Sequence, residues 1–402
     1  MSDRRCGRSC RGLGWLLLAL VFAGLGGGGC GGLGGPQALA WVDDEHTRAA
    51  GPGFSVRWTR SLLDDRRATA VPVEQAAPAI DTIRGRVYVA STRGTMLALS
   101  QSGRELYRVE AGAALEAEPT LDAERGELYL ATVTGTLLSL RAEDGSERWK
   151  VELGESFSRA GVLEADAIYL VSDVDAVVAL SRSDGSVLWR YRRDERPEGF
   201  GITGHAGLAA AERRVITGFS DGTVVALDSS DGSVLWQTDT SADLDDIPIT
   251  RRFVDVDTTP AISGDTVYVA SFSGGLYGLE LANGNILSHD ATLKGVWALA
   301  ASADELIVAS AEHGVVCLDL PRRTMRWRRP VVRGAPGQPT LALERKLVYV
   351  PESLGGFLAL SLVDGRERGR LETAHGITAP AALVDGRGFV LSNGGTLYAI
   401  QY

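Results

Sequence analysis

Several short stretches spell patterns that chemistry uses. Gly199-Phe200-Gly201-Ile202-Thr203-Gly204 satisfies G-x-G-x-x-G, which cradles a dinucleotide only when it joins a strand to a helix inside a βαβ unit. Gly218-Phe219-Ser220-Asp221-Gly222 satisfies G-x-S-x-G, where the serine is a nucleophile only on a strand-to-helix elbow. His205, His289, His313 and His375 have no paired ligand spacing, so they point to no metal site. Of four cysteines, Cys6, Cys10 and Cys30 precede residue 31 and only Cys317 follows. They offer no zinc spacing, no adjacent pair and no C-x-x-C-H haem attachment. Two carboxylates, Asp255 and Asp257, stand in Asp255-Val256-Asp257-Thr258-Thr259-Pro260. Their value depends on what holds them.

What holds them is a block of about forty residues written eight times. A small residue precedes Leu or Ile at Ala98-Leu99, Ser139-Leu140, Ala179-Leu180, Ala226-Leu227, Gly278-Leu279, Cys317-Leu318, Ala359-Leu360 and Ala399-Ile400. Eleven residues before each Leu or Ile stands Tyr88, Tyr129, Tyr169, Ile216, Tyr268, Ile307, Tyr349 or Phe389. In the second unit, Glu118 to Leu121, with Pro119 tolerable only at a strand's start or edge, Glu127 to Thr132, Thr136 to Leu140 and Glu147 to Val151 read as four strands. Gly94, Gly135, Gly222, Gly274, Gly355 and Gly395 stand six residues after the aromatic or Ile, where a tight hairpin calls for positive φ. Asp-Gly or Asn-Gly recurs at the next hairpin, as in Asp144-Gly145 and Asn283-Gly284. The small residue before each Leu suits close approach of neighbouring sheets. Both catalytic-looking stretches therefore fall in an all-β array, with Ser220 in a unit hairpin.

Trp149, Trp189, Trp236 and Trp327 follow the aligned Tyr or Ile by twenty residues, Tyr107 fills the slot in the first unit at a spacing of nineteen, and Ser288 and Gly369 depart from it. The eighth unit stops at Tyr402, one strand short, while a Trp-bearing strand, Phe54-Ser55-Val56-Arg57-Trp58, precedes the first. These features predict an all-β fold: an eight-bladed β-propeller of four-stranded antiparallel blades, closed by N- and C-terminal strands.

Ahead of the array, Arg4, Arg5, Arg8 and Arg11 precede an apolar run from Trp15 to Leu25, and Gly26-Gly27-Gly28-Gly29-Cys30 follows. Residues 1–30 read as an export signal, because the run is short for a permanent span. Residues 31–53, rich in Gly, Ala and Pro, read as a flexible tether, and residues 54–402 as the propeller. Removing residues 1–30 takes away four Arg and one Asp and moves the net charge from −10 to −13. An acidic domain argues against nucleic-acid binding and suits a basic partner.

The Asp231-Gly232-Ser233-Val234-Leu235-Trp236 ending, and the unit from Gly264 through Gly284, resemble the repeat of pyrroloquinoline-quinone (PQQ) enzymes. The Trp is not followed by Asp, unlike the WD40 repeat. Within that superfamily residues 54–402 resemble the BamB lipoproteins of the outer-membrane β-barrel assembly machinery, most specifically at Asp255-Val256-Asp257-Thr258-Thr259-Pro260 and secondarily at Gly199 to Gly204. These stretches sit where unit spacing lengthens, from 39–42 residues to 47 and 52, and such insertions form loops on one face. The resemblance implies a non-catalytic scaffold with no cofactor. Its loops would contact a BamA-like barrel assembly subunit, through Asp255 and Asp257 as polar contacts and Phe200 and Ile202 as apolar ones. This chain has Thr203 where the family usually has Arg, which removes a bidentate donor. The two carboxylates equally suit loop capping and turn hydrogen bonds.

The Gly-Cys ending resembles a lipoprotein cleavage site. It implies lipidation at Cys30 and anchorage on the periplasmic face of the outer membrane, although Gly27 stands where that motif usually has Leu. An ordinary secretory signal would leave the protein soluble in the periplasm. Two other functions are compatible with the repeat: a stand-alone periplasmic ligand-binding or sensor propeller, and a PQQ-dependent dehydrogenase. The latter lacks its vicinal disulfide here.

Overall fold

The row Thr120, Tyr129, Ser139, Trp149 shows why each unit folds as it does. These residues are register partners across four successive antiparallel strands, Thr120–Asp122, Glu127–Ala131, Thr136–Arg141 and Glu147–Glu152. Ser139 is small, so Tyr129 and Trp149 meet over it with ring centroids 5.8 Å apart. Ala179 lies likewise between Tyr169 and Trp189, whose centroids are 5.7 Å apart. The small residue thus makes room for a cross-strand aromatic pair.

The computed structural model describes residues 48–62, 73–193, 206–241 and 254–402, all within the compact unit Trp41–Tyr402. Cys30, Phe200 and Ile202, all expected site residues, lie outside the described residues, as does the rest of the Gly199 to Gly204 stretch. The strands form eight sheets, numbered here as blades 1 to 8 in chain order. Every blade carries a register shift between its third and fourth strands at the small-residue–Leu step, for example between Ala226 and Leu227. A bulge of this kind twists an outer strand away from edge pairing.

The eighth blade is completed as the sequence predicts. Ser55–Ser61 pairs antiparallel with Thr396–Gln401, with Trp58 opposite Ala399. The inner strand of that blade, Ala382–Val384, lies against the inner strand of blade 1, Ala79–Asp81. Trp58 then donates from Nε1 to the Gln101 carbonyl of blade 1 at 2.9 Å. The same bond joins Trp149 to Arg182, Trp189 to Ser229, Trp236 to Leu281 and Trp327 to Leu362, at 2.9–3.0 Å. Each indole also covers a turn glycine of the next blade, and a Cβ on Gly185 or Gly284 would stand 2.6 or 2.5 Å from Trp149 or Trp236. Both glycines hold φ near +75°, so two constraints select glycine there.

Three details differ from the expectation. In the fifth unit the positive φ falls on Gly275 (+91°), one residue after Gly274, and Gly355 of the seventh unit likewise has no positive φ. In the third unit the turn position is held by Asp175 at φ +58°. Where the sequence reads tether up to residue 53, Arg48–Ala50 forms a strand against Glu372, Leu371 and Arg370, giving blade 7 a fifth strand. The residues that follow explain Gly369, the departure from Trp in that blade. Phe54, 7% exposed, fills the space beside Gly369 and packs on Tyr349 and Phe357.

Candidate functional site

Because successive strands are antiparallel, each blade's second hairpin and its connection to the next blade share one end of the ring. Asp255 and Asp257 stand at that end, where the chain enters blade 5. Val256 between them is 1% exposed and donates its N–H to the Phe219 carbonyl, in the second hairpin of blade 4, at 3.1 Å. A Cβ on Gly218 would lie 2.2 Å from Val256 Cγ1, so that glycine admits the crossing segment. Thr258 Oγ1 accepts from the Ala270 N–H at 2.9 Å and Thr259 Oγ1 from the Gly207 N–H at 3.1 Å. The two threonines therefore pin the segment to blades 5 and 4.

The carboxylates are unequal. Asp255 is 3% exposed, whereas Asp257 is half-buried. Burial first, then the neighbouring Asp255 and more weakly Asp175, push the Asp257 carboxyl up to about 7, against the pull of Arg159. Arg159 also feels Asp173 and Glu118. Arg159 is exposed at the surface, so water weakens its pull on the group. Ser156 and Ser158 hydroxyls donate to Asp173. The Ser220 hydroxyl and N–H donate to Asp175. Nearby, Arg193 bridges Asp221 at 2.7 Å and lies over the Phe219 ring, which stacks on Tyr191. The result is a polar patch across blades 2 to 5, negative in balance, on a rigid frame.

Sequence reasoning missed Arg159, Glu118, Asp173 and Asp175. One signal was present: Asp175 occupies a turn-glycine slot, six residues after Tyr169. The G-x-S-x-G stretch resolves as a turn. Ser220 sits in the hairpin closed by Phe219 N–H to the Thr223 carbonyl at 2.8 Å. His289 stacks on Tyr277 at 4.1 Å and its Nε2 lies 2.8 Å from the Gly274 carbonyl. Cys317 is buried opposite Trp327, and burial pushes its thiol up to about 12. Among the described residues no group of three His, Cys, Asp or Glu could hold a metal ion.

The family model of the outer membrane protein assembly factor BamB matches residues 94–329, more than half of the chain. The chain belongs to the BamB family. BamB of Salmonella typhimurium is 26% identical over 311 residues, covering 65% of this chain and 78% of that protein. BamB of Yersinia pestis is 29% identical over 150 residues, a match that spans only 37% of either chain. The crystal structure of BamB from Moraxella catarrhalis superposes with a TM-score of 0.70 at 22% identity, covering 87% of this chain and all of that one. At that identity the likeness speaks for the fold alone. The BamB match spans the lengthened connections of blades 3 to 5 and the segment carrying Asp255 and Asp257.

Proposed function

We propose that this protein is a non-catalytic scaffold of outer-membrane protein assembly, acting on the periplasmic face of the outer membrane. Family membership supports that role, since BamB relatives are named assembly factors. The partner is a BamA-like barrel assembly subunit, docked on the patch of blades 3 to 5. The observation that carries this reading is the segment holding Asp255 and Asp257. It ends a lengthened connection, is pinned by Thr258 and Thr259, and presents a half-buried carboxylate rather than a solvated one.

Mechanistically, a rigid platform with a fixed carboxylate gives orientation at low entropic cost, and its negative balance steers a basic partner surface. Asp257 is the direct contact. Asp255, nearly sealed from solvent, sets the segment's conformation and raises the charge density beside Asp257. Phe200 and Ile202 supply apolar contacts from the neighbouring connection. Lipidation at Cys30 holds the propeller at the bilayer, where local concentration strengthens docking.

Affinity purification of the tagged protein from its own cells tests this. A barrel subunit is expected in the eluate, with at least tenfold less recovered by an Asp257→Arg variant that still unfolds cooperatively. Full recovery with Asp257→Arg would remove that residue from the interface, and an eluate without a barrel subunit would reject the scaffold role. Mass spectrometry of the mature N-terminus is expected to show an acylated Cys30.

A further inference from the structure

Among the described residues, the two most exposed large hydrophobic side chains are Val332, at 84%, and Leu354, at 76%. Val332 lies in the connection from blade 6 to blade 7, and Leu354 in the second hairpin of blade 7. Both stand at the end of the ring that carries Asp255 and Asp257. The backbone beneath them is laced together. Leu354 N–H donates to the Arg333 carbonyl at 3.2 Å, Ser353 N–H to the Ala335 carbonyl at 3.0 Å, and Ala335 N–H to Ser353 Oγ at 2.9 Å. A Cβ on Gly355 would stand 2.8 Å from that of Arg333, so glycine admits the close approach. Apolar tips held out on a bonded frame mark a contact surface.

The chain also enters the ring at this corner. Arg48 is the register partner of Glu372, at the end of the fourth strand of blade 7, and Glu372 pairs with Arg333 at 3.3 Å. Cys30 stands eighteen residues upstream of Arg48, a length that reaches at most about 60 Å. No other described part of the ring is closer to Cys30 along the chain. The charge here departs from the rest of the molecule. The protein is acidic overall, but from Leu320 to Leu343 it carries six arginines and no carboxylate. Arg329 answers Glu367 at 2.6 Å and Arg370 answers Glu352 at 2.7 Å. Arg328 donates to the His313 carbonyl at 3.0 Å, an uncharged acceptor. The corner therefore escapes the repulsion that an acidic protein meets at an anionic surface.

From these observations we infer that this corner of blades 6 and 7 rests on the bilayer. Val332 and Leu354 enter the interfacial region, and Arg328 and Arg333 bond lipid phosphates. A lipid surface fits better than a folded partner. Binding hot spots between proteins are poor in Leu and Val, and two protruding tips offer no pocket, whereas a bilayer yields around them. The inference rests on the anchored placement proposed above and adds an orientation to it. With this corner on the membrane, the Asp257 patch on the remaining arc of the ring stays open to a partner.

The test uses the full mature chain with Cys30→Ser, which removes the acylation site, and sedimentation with vesicles of phosphatidylethanolamine and phosphatidylglycerol. Binding that rises with lipid to saturation is expected. Val332→Ser with Leu354→Ser should weaken it at least tenfold, and Arg328→Ala with Arg333→Ala at least threefold. Ile83→Ser with Val363→Ser, on exposed hairpins at the opposite end of the ring, should change it less than twofold. An environment-sensitive fluorophore on Val332→Cys should shift to the blue with vesicles, and the same label on Val363→Cys should not; Cys317 is buried and stays unlabelled. No binding to these vesicles, an unaffected double serine variant, or equal shifts at both labels would each overturn the inference. So would a double serine variant that still binds vesicles but no longer recovers the barrel subunit, since the corner would then face a protein. Circular dichroism and melting confirm that the variants are folded. Acylation of Cys30 and recovery of the barrel subunit by the native protein are scored separately, so failure here is distinguishable from failure of the anchored scaffold.

Discussion

Phe54→Ala should loosen the ring at its seal. Phe54 is 7% exposed and packs on Tyr349 and Phe357, with centroids 6.1 and 5.9 Å away. It stands beside Gly369, where other blades carry a tryptophan. The backbone around it is tied down too: Tyr349 Oη donates to the Gly53 carbonyl and Gly53 N–H to the Arg368 carbonyl, both at 2.8 Å. Deleting the ring leaves a cavity that pinned backbone cannot close, so the loss should reach about 3–5 kcal/mol. For a domain longer than 200 residues, about 2 °C per kcal/mol applies, a fall of roughly 6–10 °C in Tm. Circular dichroism melting of the mature protein measures this, with exposed Arg57→Ala as the control within about 1 °C. Gly369→Trp is expected to be harmful alone, because a Cβ there already meets Gly53 at 3.3 Å. Combined with Phe54→Ala it should be less harmful than the two effects added, since the indole gains the vacated volume. A Tm fall below about 2 °C for Phe54→Ala, with an unchanged spectrum, would refute the view that Phe54 stands in for the missing tryptophan.

The remaining expectations probe other contacts. Gly185→Ala and Gly154→Ala both force alanine to φ near +75°, at about 1–2 kcal/mol. Only at Gly185 would the methyl strike an indole, Trp149 at 2.6 Å, so melting should show about 1–3 kcal/mol more loss there, and equal losses would deny the latch. Arg182 is buried and bonded to Asp122, Glu127 and the Ala165 carbonyl. Arg182→Ala should therefore cost about 3–5 kcal/mol in urea unfolding, against about 0–1 for Arg125→Ala, whose pair with Asp166 lies in solvent; similar values for both would contradict this. The raised Asp257 carboxyl means that the folded state binds a proton the unfolded state has released between about pH 4 and pH 7. Asp257 thus lowers stability as pH rises through that window, and Asp257→Asn should melt higher than the wild type at pH 8 but converge with it at pH 4. Parallel pH profiles would show that Asp257 is not held this way.

The repeat spacing, the turn glycines and the displaced final strand were enough to read eight blades and their closure, because local turn chemistry and period-two burial act over a few residues. Trp58 was visible as a strand without a blade, and Tyr402 as the end of a blade without its last strand. The candidate site was legible only in part. Asp255 and Asp257 stood out by motif and by the lengthened spacing, but their inequality did not, since burial of one and half-burial of the other is set by blade 4. Glu118 leads into blade 2, Arg159 and Asp175 belong to blade 3 and Asp257 leads into blade 5, so they meet only when the blades pack side by side. Gly369 looked like a lost tryptophan until Phe54, more than three hundred residues away in sequence, was seen beside it. The chain by itself therefore determined the architecture, which is a sum of local preferences repeated in register. Only the tertiary structure decided which charges face one another and which edges stay uncovered, because both depend on contacts between residues that the sequence keeps far apart.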